Sequence, residues 1–230
     1  DVLALPNEDL AVPKTPEVME KLNVYKDPNS NRYLSASALN KYISCPLSFY
    51  LYYVEGIQHE DEITEYMDEG TYGTIMHEVA EKIYKYLKGD AHEVKITEKL
   101  LDSLKNRQGE IMQQITRSIN YHYNKLGKDN DTPLHGDGKV IGEIMLHFTI
   151  LLLENEKQFA DFYFVDAEKR DFGQWKINDK HTINFKQIID RIDKVKSDDD
   201  LLLRFVDYKT GSDSLSLDKL ESLFDRDKSN

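Results

Sequence analysis

The chain has 230 residues, a single cysteine and a formal net charge of −12 at pH 7. Its length suits one large domain, or one domain with an elaborate insertion, and allows a sizeable core to be buried. The single cysteine excludes an internal disulfide and any all-cysteine zinc or iron–sulfur site built from this chain alone, and it favours a reducing, cytoplasmic setting.

The sequence contains no candidate membrane span. Its most apolar run, Ile144 to Leu153, is interrupted by His147 and Thr149 and is much shorter than the roughly 20 residues that a span needs. The N-terminus lacks a basic region followed by an apolar one, so it is not a signal peptide. It also lacks an initiating Met, and we expect the chain to be a fragment of a longer protein.

The net charge weighs against a nucleic-acid partner, because Lys and Arg supply most of the non-specific affinity for phosphate. Its distribution matters more than its sum. Six acids lie between Glu60 and Glu69, and three more form the run Asp198 to Asp200, so much of the negative charge falls in expected loops. Bound cations also change the local sign. The charge therefore leaves a nucleic-acid substrate open.

Residues 1–33 hold four of the six prolines and little periodicity, which predicts an extended arm or linker from a preceding domain. A helix follows, which Ser35 or Ser37 can cap and which Pro46 ends. Cys45, directly before this proline, is expected to be a small buried thiol. The next aromatic residues are expected to pack against the core rather than to stack on bases; they are Phe49, Tyr50, Tyr52 and Tyr53.

A second helix is predicted over residues 70–87, where Val79 and Ile83 belong to an apolar series with intervals of four. Gly73 and His77 form a Gly, three residues, His pattern on this helix. A histidine by itself on a helix is more often structural than a ligand, although a neutral imidazole can complete an oxygen-rich metal shell. Whether His77 is structural or a metal ligand therefore depends on the other candidate residues of the chain.

The middle of the chain is predicted to be helical. One or two amphipathic helices are followed by a polar break over residues 127–139 and a more buried helix over about residues 140–159. We interpret residues of about 92–160 as a helical insertion ahead of the sheet. The segment Phe162 to Ala167 suits a strand, and Glu168 follows it directly.

A β-hairpin is predicted over Gln187 to Gly211, because two runs rich in β-branched and aliphatic residues flank the polar turn Ser197 to Asp200. The first run carries Asp190, the second carries Asp207, and Lys209 lies two residues further on. A single aspartate near a strand end is commonly a solvated surface residue with no functional role. Two carboxylates on paired strands, with an ammonium beside them, can instead hold a hard divalent cation and act on a phosphodiester.

Three separated segments resemble the PD-(D/E)xK nuclease superfamily, and in particular its RecB-like and AddB-like exonuclease branch. One is the sequence VDYKTG at residues 206–211, with an Ile-Asp pair 17 residues before its Asp. Another is the pattern Ser, x, Ser, x, Leu, with a later Tyr, Cys-Pro and Phe, over residues 35–49. The third is the Gly, three residues, His pattern of residues 73–77. The three follow one another in the order that the family has.

The resemblance implies an α/β, restriction-endonuclease-like fold in which helices flank a mixed central β-sheet. The nuclease domain would extend over residues 34–230, with the helical insertion at about 92–160 and residues 1–33 outside it as the arm. The family continues after its lysine into a helix that lines the substrate groove. We expect the C-terminal end of the domain to be truncated here, with an amphipathic helix only beginning at Leu217, Leu220 and Phe224.

The resemblance also assigns site residues position by position. Asp190 and Asp207 match the two acidic metal ligands, and Lys209 matches the catalytic lysine. His77 matches the branch-specific metal ligand, and the backbone carbonyl of Tyr208 would be an additional oxygen ligand. The cofactor that this set implies is Mg²⁺ or Mn²⁺.

The sequence departs from the family pattern at one position and leaves two lesser candidates. Gln187 stands where a glycine usually precedes the first Asp by three residues. Asp193 is a rival to Asp190, because Ile-Asp occurs twice, but strand alternation places the two on opposite faces. Glu168 lies where the family often has an acid ahead of the first ligand strand, which makes it a further candidate.

The function that the resemblance implies is a metal-dependent deoxyribonuclease, an exonuclease acting on single-stranded or duplex DNA ends. It would serve DNA repair or recombination within a larger helicase–nuclease protein, with a helicase domain or subunit as its partner and no membrane. Contacts to the phosphate backbone rather than to bases would make cleavage largely independent of sequence.

Two alternatives from other classes stay open at this point. The first is a nuclease fold kept as a DNA-binding or scaffold module of a helicase complex, although a scaffold has no need of Asp190, Asp207 and Lys209 together. The second is a carboxylate-pair glycosidase, which would need neither metal nor lysine. Sensitivity to a chelator separates the nuclease from both.

Overall fold

A computed structural model describes residues 11–57, 66–197 and 200–211. Within these residues the chain forms seven α-helices and four β-strands, an α/β arrangement. It divides into two compact units. The ribbon unit comprises residues 11–57 and 170–187, and the core unit comprises residues 66–169 and 188–211.

The ribbon unit begins with three helices, α1 (Pro16–Asn23), α2 (Ala36–Ser44) and α3 (Pro46–Phe49), and a π-helical turn follows over Tyr50–Val54. Thr15 caps α1 and Ser35 caps α2, each through a side-chain oxygen that accepts a backbone N–H three residues later. Part of the predicted arm is therefore helical, and the division at residue 33 stays a prediction.

Cys45 corrects one expectation, because its side chain is exposed rather than buried. The residue lies at the N-cap of α3, where its Sγ accepts the N–H of Ser48 at 3.5 Å. A helix start needs an acceptor at this position, and the cap therefore keeps the thiol outside the core. Of the following aromatics, Phe49 is buried and packs against the rings of Tyr42 and Tyr53 at 5.4 and 5.5 Å.

The core unit contains four helices, α4 (Glu69–Lys88), α5 (Glu98–Lys105), α6 (Gln108–His122) and α7 (Gly136–Glu156). Asp68 caps α4 and Thr97 caps α5. Their apolar faces meet in one cluster of buried side chains, which removes apolar surface from water and so favours folding. Its members include Ile75, Val79, Ile83, Ile115, Ile119, Met145 and Leu153.

Four strands form one sheet in the order β1 (Val94–Ile96), β2 (Phe162–Asn178), β3 (His181–Ser197) and β4 (Asp200–Val206). The β1–β2 and β3–β4 pairs are antiparallel. Among the described residues the parallel contact is an isolated bridge between Leu34 and Phe185, so the mixed character predicted for the sheet is limited here to that bridge.

The predicted hairpin is confirmed by the pairing of β3 with β4. Arg191 lies opposite Val206 at one end and Ser197 lies opposite Asp200 at the other. The insertion predicted over residues of about 92–160 contains β1 and the three helices α5 to α7, and β1 joins the sheet by pairing with β2. The amphipathic helix expected from Leu217 lies outside the described residues. No helix in the described part of the chain has the length and apolar character to cross a membrane.

Candidate active site

Three side chains converge in the core unit on one small volume. His77 comes from the middle of α4, Glu168 from β2 and Asp190 from β3, and their possible ligand atoms all lie within 4.8 Å of one another. His77 Nδ1 is 3.4 Å from Asp190 Oδ2 and 3.7 Å from Glu168 Oε1. The side chains are 26%, 28% and 11% exposed for His77, Glu168 and Asp190, so a small ligand can reach them from solvent.

Glu168 enters this group because its backbone leaves the regular strand conformation. Its φ is +48°, in the left-handed region that non-glycine residues rarely adopt. Before it, Phe162 and Phe164 are buried at the spacing of two that a strand gives, but the next buried residue is Ala167. The interrupted alternation places the Glu168 carboxylate beside Asp190.

The electrostatics of the group fit a bound cation. Burial raises the pKa of the Glu168 carboxyl above its ordinary value, and the negative charges of Asp190 and then Glu81 raise it further. A divalent cation would remove this unfavourable interaction. The two carboxylates are suitable donors for Mg²⁺ or Mn²⁺, since both ions prefer oxygen ligands, and the imidazole of His77 can complete an oxygen-rich shell.

Asp207 and Lys209 lie just beyond the end of β4 and are not part of the three-residue group. Their side chains are 65% and 61% exposed, and Lys209 Nζ is 2.8 Å from Asp207 Oδ2. The ladder ends with Arg191 opposite Val206, so the next position in the same register would place Asp190 opposite Asp207. The roles assigned to Asp207, to Lys209 and to the Tyr208 carbonyl stay predictions.

Tyr208 ties the two acid-bearing strands together through its main chain and its side chain. Its N–H donates to Asp190 Oδ2 at 2.7 Å. Its hydroxyl accepts from Arg191 Nη1 at 2.7 Å. Tyr208, which lies between Asp207 and Lys209, is therefore hydrogen-bonded to both Asp190 and Arg191.

Arg191 is the centre of a buried ionic network in the core unit. Its guanidinium is 1% exposed and donates two hydrogen bonds, each 2.9 Å long, to the two carboxylate oxygens of Glu156. It also lies over the ring of Tyr84 at 4.7 Å. Such bidentate pairing offsets much of the cost of burying an arginine.

Asp193 belongs to this network and not to the three-residue group of His77, Glu168 and Asp190. Its side chain is fully buried, and Oδ2 accepts from Arg204 Nη2 at 2.7 Å and from Arg191 Nε at 3.2 Å. Asp190 lies three residues earlier and thus on the other face of a regular strand. The structure gives the two Ile-Asp aspartates different partners, although the choice of Asp190 as the ligand stays a prediction.

Two of the sequence patterns meet in space. A Cβ placed on Gly73 would lie 3.1 Å from Thr210 Oγ1, which is closer than most real Cβ contacts, so Thr210 would have to shift slightly. Glycine at residue 73 therefore allows α4 to approach the segment that follows Lys209. The Gly, three residues, His pattern and the VDYKTG segment are therefore neighbours in space, because Gly73 of the first pattern approaches Thr210 of the second segment.

Helices α4 and α7 and the VDYKTG segment also enclose a cleft of about 440 Å³. Lys209 and Thr210 lie at its lining together with exposed apolar residues of α7, of which Phe148 is 50% exposed. The cleft adjoins the segment that bears the predicted catalytic lysine. It leaves room for a substrate beside that lysine.

The fold belongs to the PD-(D/E)XK, restriction-endonuclease-like class. The sequence profile of the PD-(D/E)XK nuclease superfamily matches residues 33–224. The chain therefore belongs to the PD-(D/E)XK nuclease superfamily, and the predicted family and fold are confirmed.

Curated relatives are described as a subunit of an ATP-dependent helicase/deoxyribonuclease. The protein of Clostridium perfringens (strain SM101 / Type A) is 26% identical over 201 residues, which cover 85% of this chain and 17% of the relative. The protein of Carboxydothermus hydrogenoformans is 28% identical over 214 residues, which cover 87% of this chain and 18% of the relative. The chain thus spans less than a fifth of the length of these relatives.

Proposed function

We propose that the chain is a divalent-metal-dependent deoxyribonuclease that hydrolyses phosphodiester bonds with the aid of Mg²⁺ or Mn²⁺. The observation that carries this proposal is the convergence of His77, Glu168 and Asp190 within 4.8 Å. In this proposal His77, Asp190, Asp207 and the Tyr208 carbonyl hold the ion, as the family resemblance implies. Glu168 is added to this set, and its closeness to His77 and Asp190 supports the addition.

The ion would supply two effects, a lower pKa for a bound water and neutralisation of charge on a phosphate oxygen. The protein residues supply the rest. Lys209 donates hydrogen bonds to the attacking water or to the oxygen on which negative charge develops. Asp207 is two-thirds exposed, so rotation about its χ1 can redirect its carboxylate without repacking the core. Tyr208 fixes the main chain between these two residues through its bonds to Asp190 and Arg191.

The finer assignment is an exonuclease that works on single-stranded or duplex DNA ends in repair or recombination. It is supported by the RecB-like and AddB-like pattern and by relatives described as helicase/deoxyribonuclease subunits. The chain covers under a fifth of those relatives, and we infer a helicase domain or subunit as its partner. The single cysteine, exposed and without a disulfide, accords with a reducing cytoplasmic setting.

End-labelled single-stranded and duplex DNA test this function directly. Cleavage is expected with Mg²⁺ or Mn²⁺ and is expected to stop in the presence of EDTA. Asp190→Asn is expected to abolish it, whereas Asp137→Asn, an exposed acid on α7, serves as the matched control and keeps wild-type rates. DNA binding with no cleavage under any metal condition would contradict the proposal and favour a scaffold module.

A further inference from the structure

The outer halves of β2 and β3 form a two-stranded ribbon, residues 170–187, within the ribbon unit. Three of its large apolar side chains are about half exposed, with Phe172 at 54%, Trp175 at 51% and Ile177 at 49%. Trp175 and Ile177, two positions apart on β2, share one face of a regular strand, and Phe172 lies on the other. Exposed apolar groups commonly mark a binding surface, because covering them with a partner removes apolar area from water. The ribbon is therefore a candidate interaction surface apart from the proposed active site.

The ribbon is firmly anchored at one place on β3. Asn184 is 2% exposed, and its side-chain amide donates to the carbonyl of Asp27 at 2.7 Å. Its backbone N–H donates to the Tyr25 carbonyl at 2.7 Å, and its carbonyl accepts from Leu34 at 2.9 Å. The ring of Trp175 rests edge-on against Phe185, with centroids 5.7 Å apart. The exposed aromatic residues thus stand on an ordered platform.

The charge of the ribbon is opposite to that of the chain. The ribbon has four basic and two acidic residues, whereas the whole chain carries a formal net charge of −12. Among the described residues, one of these cations forms an ion pair, Lys176 with Asp179 at 2.7 Å, and Asp179 is 96% exposed, so the pair is weak in water. The four exposed basic residues are Arg170, Lys176, Lys180 and Lys186.

We propose that the ribbon binds single-stranded DNA, an inference that rests on the proposed function. Its cations offer contacts to phosphates, and its half-exposed aromatic rings offer faces on which unpaired bases stack. Stacking requires bases that are not already paired, and for this reason the ligand is a single strand rather than a duplex. The combination of positive charge with aromatic rings gives affinity with little sequence preference.

The chain itself provides the probe, because Trp175 is its single tryptophan. Oligothymidylate is titrated into the wild-type protein in EDTA, which prevents cleavage, and tryptophan fluorescence is recorded. Saturable quenching is expected, and the affinity is expected to fall steeply as salt rises. Fluorescence that does not change while a labelled oligothymidylate still binds, as shown by anisotropy, would overturn the proposal.

Variants then assign the contacts by anisotropy of labelled oligothymidylate. Trp175→Ala is expected to weaken binding roughly 5- to 150-fold, the range that loss of one stacked base gives. A Lys176→Ala, Lys180→Ala double variant is expected to lower the slope of log affinity against log salt by about 0.7 for each phosphate that the protein no longer neutralises. Tyr86→Ala and Lys99→Ala, exposed residues of the core unit, are the matched controls.

The outcomes separate this inference from the proposed function. If the wild type cleaves DNA and the ribbon variants bind oligothymidylate as tightly as the controls, the inference is wrong and the function stands. If binding depends on the ribbon but no cleavage occurs, the function is wrong and the binding site stands. Ribbon variants with weaker binding to duplex DNA and unchanged binding to single strands would overturn the choice of ligand. Circular dichroism confirms that each variant is folded.

Discussion

Glu168 holds its carboxylate in a place where burial and nearby negative charge make ionisation unfavourable. Its pKa is raised by burial and by Asp190. A carboxyl with a raised folded-state pKa contributes stability below its unfolded pKa, about 4.3, and this contribution is lost as pH rises through the folded value. At neutral pH the ionised residue therefore destabilises the metal-free fold.

The first prediction follows from this destabilisation by the ionised Glu168 carboxylate. Glu168→Gln is expected to raise the melting temperature of the protein in EDTA at pH 7, because the amide has no charge to desolvate. The gain should shrink as pH falls towards 4. The same variant should bind Mn²⁺ less tightly in calorimetry. A melting temperature below that of the wild type at pH 7 in EDTA would contradict this explanation.

The second prediction separates the two Ile-Asp aspartates. Asp190→Asn is expected to remove Mn²⁺ binding with little change in melting temperature, because a neutral amide is a poor ligand for a hard cation. Asp193→Asn is expected to lower the free energy of unfolding by about 3 kcal/mol, because two buried or half-buried arginines lose their charged partner.

Calorimetric Mn²⁺ titration and urea unfolding of both variants measure these effects. The folded fraction of Asp193→Asn should keep the wild-type Mn²⁺ affinity. The reverse pattern, with metal binding lost in Asp193→Asn and kept in Asp190→Asn, would show that the faces of β3 have been assigned wrongly.

Lys209 gives the third prediction. Its side chain is 61% exposed, so its removal should not disturb packing. Lys209→Ala is expected to reduce the cleavage rate about 10²- to 10³-fold, as loss of a group that stabilises developing charge does. Mn²⁺ affinity should stay near the wild-type value, because an ammonium is no metal ligand. Wild-type cleavage by this variant would remove Lys209 from the proposed mechanism.

At the scale of elements, the buried network of Arg191, Asp193 and Glu156 lies on one face of the β3–β4 hairpin, and Asp190 lies on the other face. Tyr208→Phe removes the hydroxyl that accepts from Arg191 and leaves the ring in place. The expected loss is about 2 kcal/mol of unfolding free energy, typical of a hydrogen bond to a charged group. If Tyr208 and Arg191 act together, Tyr208→Phe should also lower the cleavage rate at saturating DNA more than it changes Mn²⁺ affinity.

A double-mutant cycle provides the control for this fourth prediction. Glu156→Gln weakens the other anchor of Arg191, so its effect and that of Tyr208→Phe should not add. Additive losses in urea unfolding would mean that the hydroxyl stabilises the hairpin independently of Arg191.

The hairpin could be predicted from sequence, and Glu168 could not be placed. Alternating aliphatic runs around a polar turn encode β3 and β4 locally, so their pattern suffices. Glu168 reaches the site through a positive φ in the middle of β2, and no residue type there signals such a conformation. The position of Glu168 in the sequence made it a candidate. Only the folded structure shows that its carboxylate lies near His77.

The network around Arg191 also lay beyond sequence reasoning. Its main partner, Glu156, is 35 residues away at the end of α7, and nothing in the pattern of α7 distinguishes this acid from a solvated one. A partial signal existed, because Arg191 lies in a strand directly before the apolar Ile192, and a buried arginine requires an acid. Glu78 shows the same limit: its side chain is 16% exposed and bonded to Lys82 and His122, and nothing in the pattern of α4 distinguishes this acid from a solvated one.

At the scale of the whole molecule, the chain carries its charge unevenly. A total of −12 coexists with a basic, aromatic ribbon and with the three convergent side chains of the proposed metal site. Negative charge away from these places would discourage DNA from binding elsewhere on the protein.

Crystals soaked in Mn²⁺ and measured at a wavelength where manganese scatters anomalously address the metal site most directly. We expect one strong anomalous peak bounded by His77, Glu168 and Asp190, with Asp207 turned towards it, and no such peak in crystals of Asp190→Asn. A fully soaked wild-type crystal with no peak among these residues, or with manganese only elsewhere, would contradict the assignment of this group as the catalytic metal site.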